Sequence, residues 1–208
     1  MTTSSVPSPL IIETERLILR PLHMSDVDDL YEYQSDAKIV RYIPWEERSR
    51  EQVAHFLEKA INTCKIEQRD DGDFIVLAWE LKDLSRDSKC EKTTSLESYR
   101  PGKVIGQSNT SLKSTTDQLA DIGWVTHPDY HRQGFAYEAT RALMKYVFDN
   151  FPVHRIIADI DTRNPESAKL AEKLGMRREG EFINSEFFKG DWCSMWLFAI
   201  LKEEFNSQ

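Results

Sequence analysis

Cysteine is scarce: 208 residues contain Cys64, Cys90 and Cys193 and no others. Their number is odd and no Cys-x-x-Cys pair occurs, which excludes a disulfide framework or a cysteine zinc site as the organising device. Long hydrophobic runs are missing too. The most apolar stretch, Met195 to Leu201, is far shorter than the ~20 residues that a spanning helix needs. Met1 to Leu10 has no basic segment leading into an apolar one, so no secretory signal is expected. Basic residues are outnumbered, 27 Lys and Arg against 35 Asp and Glu. The formal net charge of -8 disfavours nucleic acid, whose phosphates call for clustered cations. It suits a cationic partner, such as an ammonium-bearing acceptor. No cluster has metal-ligand spacing. These absences point to a cytoplasmic protein with no metal, no membrane and no nucleic-acid partner.

What is present is an ordinary globular composition, 40% hydrophobic and 30% charged, in a chain long enough for one sizeable core. Residues 1–9 are rich in Ser, Thr and Pro and are expected as a disordered tail. One domain is expected over 10–204. Ile11 to Arg20 has the pattern of an opening strand. Ser25 with Asp28, and Ser49 with Gln52, have capping-box spacing, and each precedes a run of helical periodicity. Strands are expected at Phe74 to Leu81, Lys103 to Leu112 and Leu119 to Thr126, with a long polar loop at 82–102. That loop is either mobile and functional or an insertion without function. Then come a helix from Ala136 to Asn150 and a strand from Arg155 to Ile160. A helix follows, capped by Asn164 with Pro165 behind it and closed by Gly175. Two strands joined near Lys189, Gly190 and Asp191 finish the chain. Antiparallel hairpins around a strand-helix-strand unit define an α/β class with a mixed, mostly antiparallel sheet and about four helices.

The stretch from Asp121 to Glu138 carries the chemistry. A strand runs into a short loop, and a glycine then opens a helix. Backbone N–H groups from Arg132 to Tyr137 would converge there with the positive end of the helix dipole, as in a pyrophosphate cradle. Gly134 would let a phosphate approach closely. The spacing is neither that of a P-loop nor that of a Rossmann fingerprint.

His131-Arg132-Gln133-Gly134-Phe135-Ala136 resembles the coenzyme-A signature (Q/R)-x-x-G-x-(G/A) of the GNAT acetyltransferase superfamily, with His131 in place of Gln or Arg. The opening Ile11 to Arg20 is similar to the first strand of the branch that acetylates protein N-termini, including those of ribosomal proteins. Asn164 to Ala168 with Lys173-Leu174-Gly175-Met176 resembles that branch's N-x-x-S…K-L-G-F segment. Arg178 to Glu181 and Leu197 to Leu201 match its end. The resemblance covers about Ile11 to Leu201.

It implies a single GNAT-like domain whose sheet splays between the fourth and fifth strands. Acetyl-CoA, as co-substrate, would lie in the gap against the edge backbone of Trp124, Val125 and Thr126. The cofactor set is completed by His131, Arg132, Gln133, Gly134, Phe135, Ala136, Tyr137, Asn164 and Ser167. The Val125 N–H is the expected donor to the acetyl carbonyl. Asn164 also serves as a plain N-cap.

Direct acetyl transfer needs a neutral amine, a stabilised oxyanion and a proton for the thiolate. Asp121 is the candidate base, working through water, although it is equally a solvent-facing strand-end carboxylate. The tyrosine that much of the superfamily uses as acid is replaced by Ala171. Ser167 stands where the N-terminal-acetylating branch has a serine near the sulfur, and it also fits a first-turn serine that caps its own backbone. Tyr42, Trp45 and Glu46 make an aromatic and acidic wall for a cationic acceptor, or else belong to the core. The partner is an amine acceptor, either a protein N-terminus or a small molecule such as a polyamine, amino acid or aminoglycoside. A catalytically weak acyl-CoA-binding module is the reading from another class. A monomer and a homodimer are both compatible with the sequence.

Overall fold

The computed structural model describes residues 10–65, 69–83 and 100–208. The expected tail at 1–9 and most of the expected loop at 82–102 lie outside the described residues. Eight strands form one sheet in the order β1-β2-β3-β4-β5-β6-β8-β7. In chain order the elements are β1 (Ile12–Glu13), β2 (Leu17–Pro21), α1 (Val27–Gln34), α2 (Ala37–Val40) and α3 (Arg50–Thr63). Next come β3 (Phe74–Leu81), β4 (Val104–Ser114), β5 (Leu119–Thr126) and α4 (Phe135–Asn150). The chain closes with β6 (Arg155–Asp161), α5 (Pro165–Lys173), β7 (Arg177–Phe188), β8 (Asp191–Leu201) and α6 (Lys202–Asn206). The mixed sheet and single α/β domain agree with the sequence reading. Six α-helices are described where about four were expected, because α2 and α6 are too short to show a period.

Both faces of the sheet are covered. On one, Phe135, Ala139, Leu143, Val147 and Phe148 of α4 pack on Leu19, Leu77, Trp79, Ile122, Ile156 and Phe198. On the other, Leu30 and Tyr33 of α1 and Val53, Leu57 and Ala60 of α3 pack on Val76, Ala78, Val104 and Val125. Since β3 supplies residues to both clusters, its sequence is a continuous apolar run rather than an alternation.

Two local expectations are corrected. The opening strand is broken after Glu13: Thr14 Oγ1 accepts the Leu17 N–H at 3.0 Å and turns the chain before β2. The first cap sits earlier than Ser25 and Asp28, with Asp26 accepting the His23 N–H at 2.8 Å and bound by Arg20. The Ser49 and Gln52 capping box is present as expected.

β5 and β6 run parallel and pair only from Leu119↔Arg155 to Asp121↔Ile157. Beyond that point β5 stays with β4 as far as Thr126, while β6 stays with β8 as far as Asp161. The sheet therefore opens into a V. Gly106 helps β5 lie close on β4, since a Cβ at that position would stand 2.6 Å from the Val125 carbonyl oxygen and 2.4 Å from the Trp79 ring. Gly106→Ala should therefore destabilise the protein by about 1–3 kcal/mol through overpacking. A urea midpoint equal to wild type would contradict this close approach.

Candidate active site

The loop between β5 and α4 is built from side chains that fold back on it. His127 is buried, with Nε2 3.0 Å from Glu32 of α1 and Nδ1 accepting the Asp129 N–H at 3.2 Å. Glu32 is fixed in turn by Lys103 at 2.8 Å. His131 Nε2 lies 2.9 Å from the Thr126 carbonyl, so that nitrogen donates. Arg132 and Gly134 both take left-handed backbone, with φ of 59° and 86°, and flank Gln133. For Arg132 this costs about 1–2 kcal/mol, which the surrounding contacts must hold. α4 begins at once, leaving the N–H groups of Phe135, Ala136 and Tyr137 without intrahelical acceptors.

The orientation of β5 decides which peptide groups face the gap. His127 N–H donates to the Ile105 carbonyl of the β4 side at 2.8 Å. Thr110 Oγ1 donates to the Asp121 carbonyl at 2.7 Å, which places that group on the β4 side as well. Peptide groups alternate along a strand, so Val125, two residues before His127 and paired with Gln107, also directs its N–H and carbonyl at β4. The groups turned to the open side belong to Trp124 and Thr126, and the Thr126 carbonyl does meet His131 there. The expectation that the Val125 N–H serves an acetyl carbonyl is corrected by this alternation. Val125 contributes its side chain instead, packed against α1 and α3.

A cleft of about 480 Å³ runs from the gap to the start of α4. Of the residues singled out from sequence, it brings together Tyr42, Trp124, Val125, Thr126, His131, Arg132, Gly134, Ala136, Tyr137, Asn164 and Ser167. Others do not line it. Gln133 donates its side-chain amide to the Asp129 carbonyl, and Phe135 is buried against Tyr130. Trp45 stacks under Arg48 beside the smaller core, and Glu46 is exposed. Sequence reasoning missed the far wall: Glu166, Lys169, Leu170 and Lys173 of α5, with Lys38, Ile39 and Ile43 across from them. The α5 set recurs at i, i+3, i+4 and i+7, the signal of one helix face turned to a single neighbour. Lys169 pairs with Glu166 at 3.0 Å and Lys173 stands 4.7 Å over the Tyr137 ring. With Arg132 they give the mouth a positive rim suited to phosphate.

On the α1–α3 side of the V lie carboxylates. Asp121 accepts from the Ser111 N–H at 2.8 Å and the Ser111 hydroxyl at 2.7 Å, with Lys113 at 3.6 Å. It thus stands at the apex and does not line the cleft. Asp159 lies two residues past the last β5–β6 pair, on the same face. Asp159 is exposed at the surface and, like Asp121, does not line the cleft. Partial desolvation, and then the charge of Asp121, push its carboxyl above the usual range. At the open end, burial works to raise the Asp161 carboxyl, but the Arg163 guanidinium, bonded at 2.6 Å, holds it below the ordinary value. Arg163 also reaches Cys193 Sγ at 2.8 Å and stands 5.9 Å over the Tyr42 ring. Among the described residues no group of His, Cys, Asp and Glu could hold a metal, and no helix is long and apolar enough to cross a membrane.

Asn164 Oδ1 accepts the Ser167 N–H at 3.2 Å and so caps α5 beneath the cleft. Asn164→Ala should cost about 1 kcal/mol of stability, with Asn164→Asp close to wild type. Equal melting temperatures for wild type and the alanine variant would remove the cap from this picture.

Comparison with known proteins identifies the family. Residues 16–177 match the model of the acetyltransferase (GNAT) domain. An uncharacterized N-acetyltransferase of Bacillus subtilis, YnaD, is 31% identical over 94% of this chain and 99% of its own length. The spermidine N(1)-acetyltransferase of Escherichia coli K12 is 20% identical over 91% of this chain and 88% of its own. Among solved structures, a GNAT-family acetyltransferase from Bacillus anthracis superposes with a TM-score of 0.74 at 28% identity, covering 93% of this chain and 99% of that one. The chain belongs to the GNAT acetyltransferase family, whose members are acetyl-CoA-dependent N-acetyltransferases.

Proposed function

We propose that this enzyme transfers the acetyl group of acetyl-CoA directly to a primary amine held at the apex of the V, with a protein N-terminal α-amine as the acceptor. The observation that carries the transfer chemistry is the pair of gap-facing peptide groups at Trp124 and Thr126, which have no strand opposite them. The N–H groups at the start of α4, with Arg132, Lys169 and Lys173 around the mouth, suit the cofactor's phosphates. Starting from that end, the Thr126 peptide is met first and the Trp124 N–H lies deeper. Trp124 is therefore assigned as the donor that polarises the thioester carbonyl, where preorganised backbone donors act without reorganisation.

On the other side of the carbonyl, Asp121 and Asp159 draw in the ammonium form of the acceptor. Of the two, Asp121 is engaged by Ser111, while the carboxyl of Asp159 is raised and nearer the open gap. Asp159 is accordingly assigned the proton, through a water, with Asp121 as its anionic neighbour. The neutral amine then attacks the carbonyl carbon; the C–N bond forms, the C–S bond breaks, and the second proton shed by the nitrogen passes to the departing thiolate, leaving amide and free thiol. Ser167 lines the cleft in the first turn of α5 and is assigned the hydrogen bond to the departing sulfur, position 171 being alanine rather than tyrosine.

The protein N-terminal reading rests on the resemblance of the Ile11 to Arg20, Asn164 to Met176 and closing segments to that branch. A small polyamine is the second reading. It is supported by the two carboxylates at the apex and by the spermidine activity named for the Escherichia coli relative.

Thiol release from acetyl-CoA, followed with a panel of peptides and polyamines, tests the proposal. Peptide-dependent release supports the first acceptor and polyamine-dependent release the second; no release with either would reject transferase activity on these amines. The raised Asp159 carboxyl fixes the sign of the pH dependence, since a base is lost on protonation. kcat/KM should fall as pH drops through its value, and Asp159→Asn should remove that limb and lower kcat about a hundredfold. An unchanged pH profile in the variant would take the proton-accepting role from Asp159.

A further inference from the structure

The opening segment at Thr14 and Arg16 lies outside the cleft, yet both side chains reach the start of α4 and Arg16 reaches the cradle loop. Arg16 Nε donates to Glu138 Oε2 at 2.7 Å, and the Arg16 N–H donates to Glu138 Oε1 at 2.7 Å. Thr14 Oγ1 donates to that same oxygen at 2.6 Å. Arg16 Nη1 donates to the Gln133 carbonyl at 2.9 Å, and its guanidinium lies 4.1 Å over the Phe135 ring. The ion pair is mostly enclosed, with Arg16 and Glu138 side chains 17% and 15% exposed. These partners are the loop residue before Gly134, the first residue of α4 and the fourth.

We infer that Arg16 is a positioning residue that aims the phosphate-facing backbone of the cradle loop, and so sets the affinity for the pyrophosphate end of the co-substrate. The inference rests on the acetyltransferase reading of the cleft.

Two physical effects lead to it. The first is directional. In a planar trans peptide the carbonyl and the following N–H point opposite ways. Arg16 grips the Gln133 carbonyl from the side away from the cleft. The Gly134 N–H of the same peptide is thereby turned toward the cleft, and Gly134 forms the wall between the cleft and the hollow that contains Arg16. Gly134 takes a left-handed φ of 86°, a glycine populates both signs of φ, and the orientation of this peptide is therefore one that a contact such as Arg16 has to fix. The second effect is electrostatic. Glu138 places a carboxylate within one helical turn of the proposed phosphate position, where it would repel an anion. Arg16 neutralises it through a charge-assisted pair in a partly dry setting.

The test compares acetyl-CoA with S-acetyl-pantetheine, which carries the same thioester without the pyrophosphate, using the wild type and Arg16→Ala. The expected result is a rise of about tenfold in KM for acetyl-CoA, the loss of roughly one charge-assisted hydrogen bond. kcat should stay within about twofold, and kcat/KM for acetyl-pantetheine should be unchanged. Arg16→Lys keeps the charge without the fork that reaches both partners, and should fall between the two. It also serves where the alanine variant does not fold. An equal loss of kcat/KM for both thioesters would show a merely structural role, and no loss for either would show none; each overturns the inference. If the wild type itself did not prefer acetyl-CoA to acetyl-pantetheine, the cleft reading would fail first, and the role of Arg16 with it.

Discussion

Past Asp121, nothing on β6 answers the peptide groups of β5, and most of this molecule can be understood as making that interruption tolerable and useful. Unpaired backbone donors and acceptors cost about 1–3 kcal/mol each when water is withheld, so a sheet gives up its ladder only where other contacts carry the load. Here β5 is clasped on its other edge by β4, with Gly106 permitting the close approach of Trp79 and the Val125 carbonyl. β6 is clasped by β8 through seven successive residues, Arg155 to Asp161. Each half of the V keeps its own ladder up to the gap, and the inner edges of β5 and β6 are open beyond Asp121.

Those inner edges acquire different chemistry because the two faces of the sheet are covered by different helices. α4 and α5 approach from one side, bringing helix N-termini and a lysine-bearing face, the ingredients for phosphate. From the other side α1, α2 and α3 cover only part of the sheet, leaving Asp121 and Asp159 at the apex and Tyr42, Arg163 and Asp161 at the rim. A thioester lying in the gap would have cations behind its phosphates and carboxylates ahead of its carbonyl. In the proposed reaction the lysine-rimmed cleft would take the anionic donor, and the carboxylates, which lie outside its lining on the other face of the sheet, would draw in the ammonium acceptor.

Much of the fold was legible in the sequence where the chain is locally consistent. The Ser49 and Asn164 caps, the glycine at 134, the proline at 165 and the boundaries of β5 all appear where local chemistry demands them. The turn into α4 at Gly134 was legible for the same reason, since a glycine opening a helix is a local event. What could not be read depends on partners distant in the chain. The turn after Glu13 is closed locally between Thr14 and Leu17, but the hold of Thr14 and Arg16 on Glu138, more than a hundred residues later, has no local signal. The direction of the Val125 N–H is fixed by the register with β4, and a one-residue change of parity turns every peptide group around. The lysine face of α5 was overlooked because Lys169 and Lys173 look like solvated charges until the helix is docked. Likewise, Asp121 looks free on a strand until Ser111 is seen beside it.

The sharpest consequence of the interrupted ladder is a difference between neighbours on one strand. Amide hydrogen exchange, resolved residue by residue by NMR with and without acetyl-CoA, measures it directly. Val125 should be protected in the free protein, because its N–H is directed at β4. Trp124 and Thr126 should exchange faster there and gain protection when acetyl-CoA is added. The opposite pattern, with a labile Val125 amide that acetyl-CoA protects and no change at Trp124 and Thr126, would contradict the orientation of β5 on which the site is built.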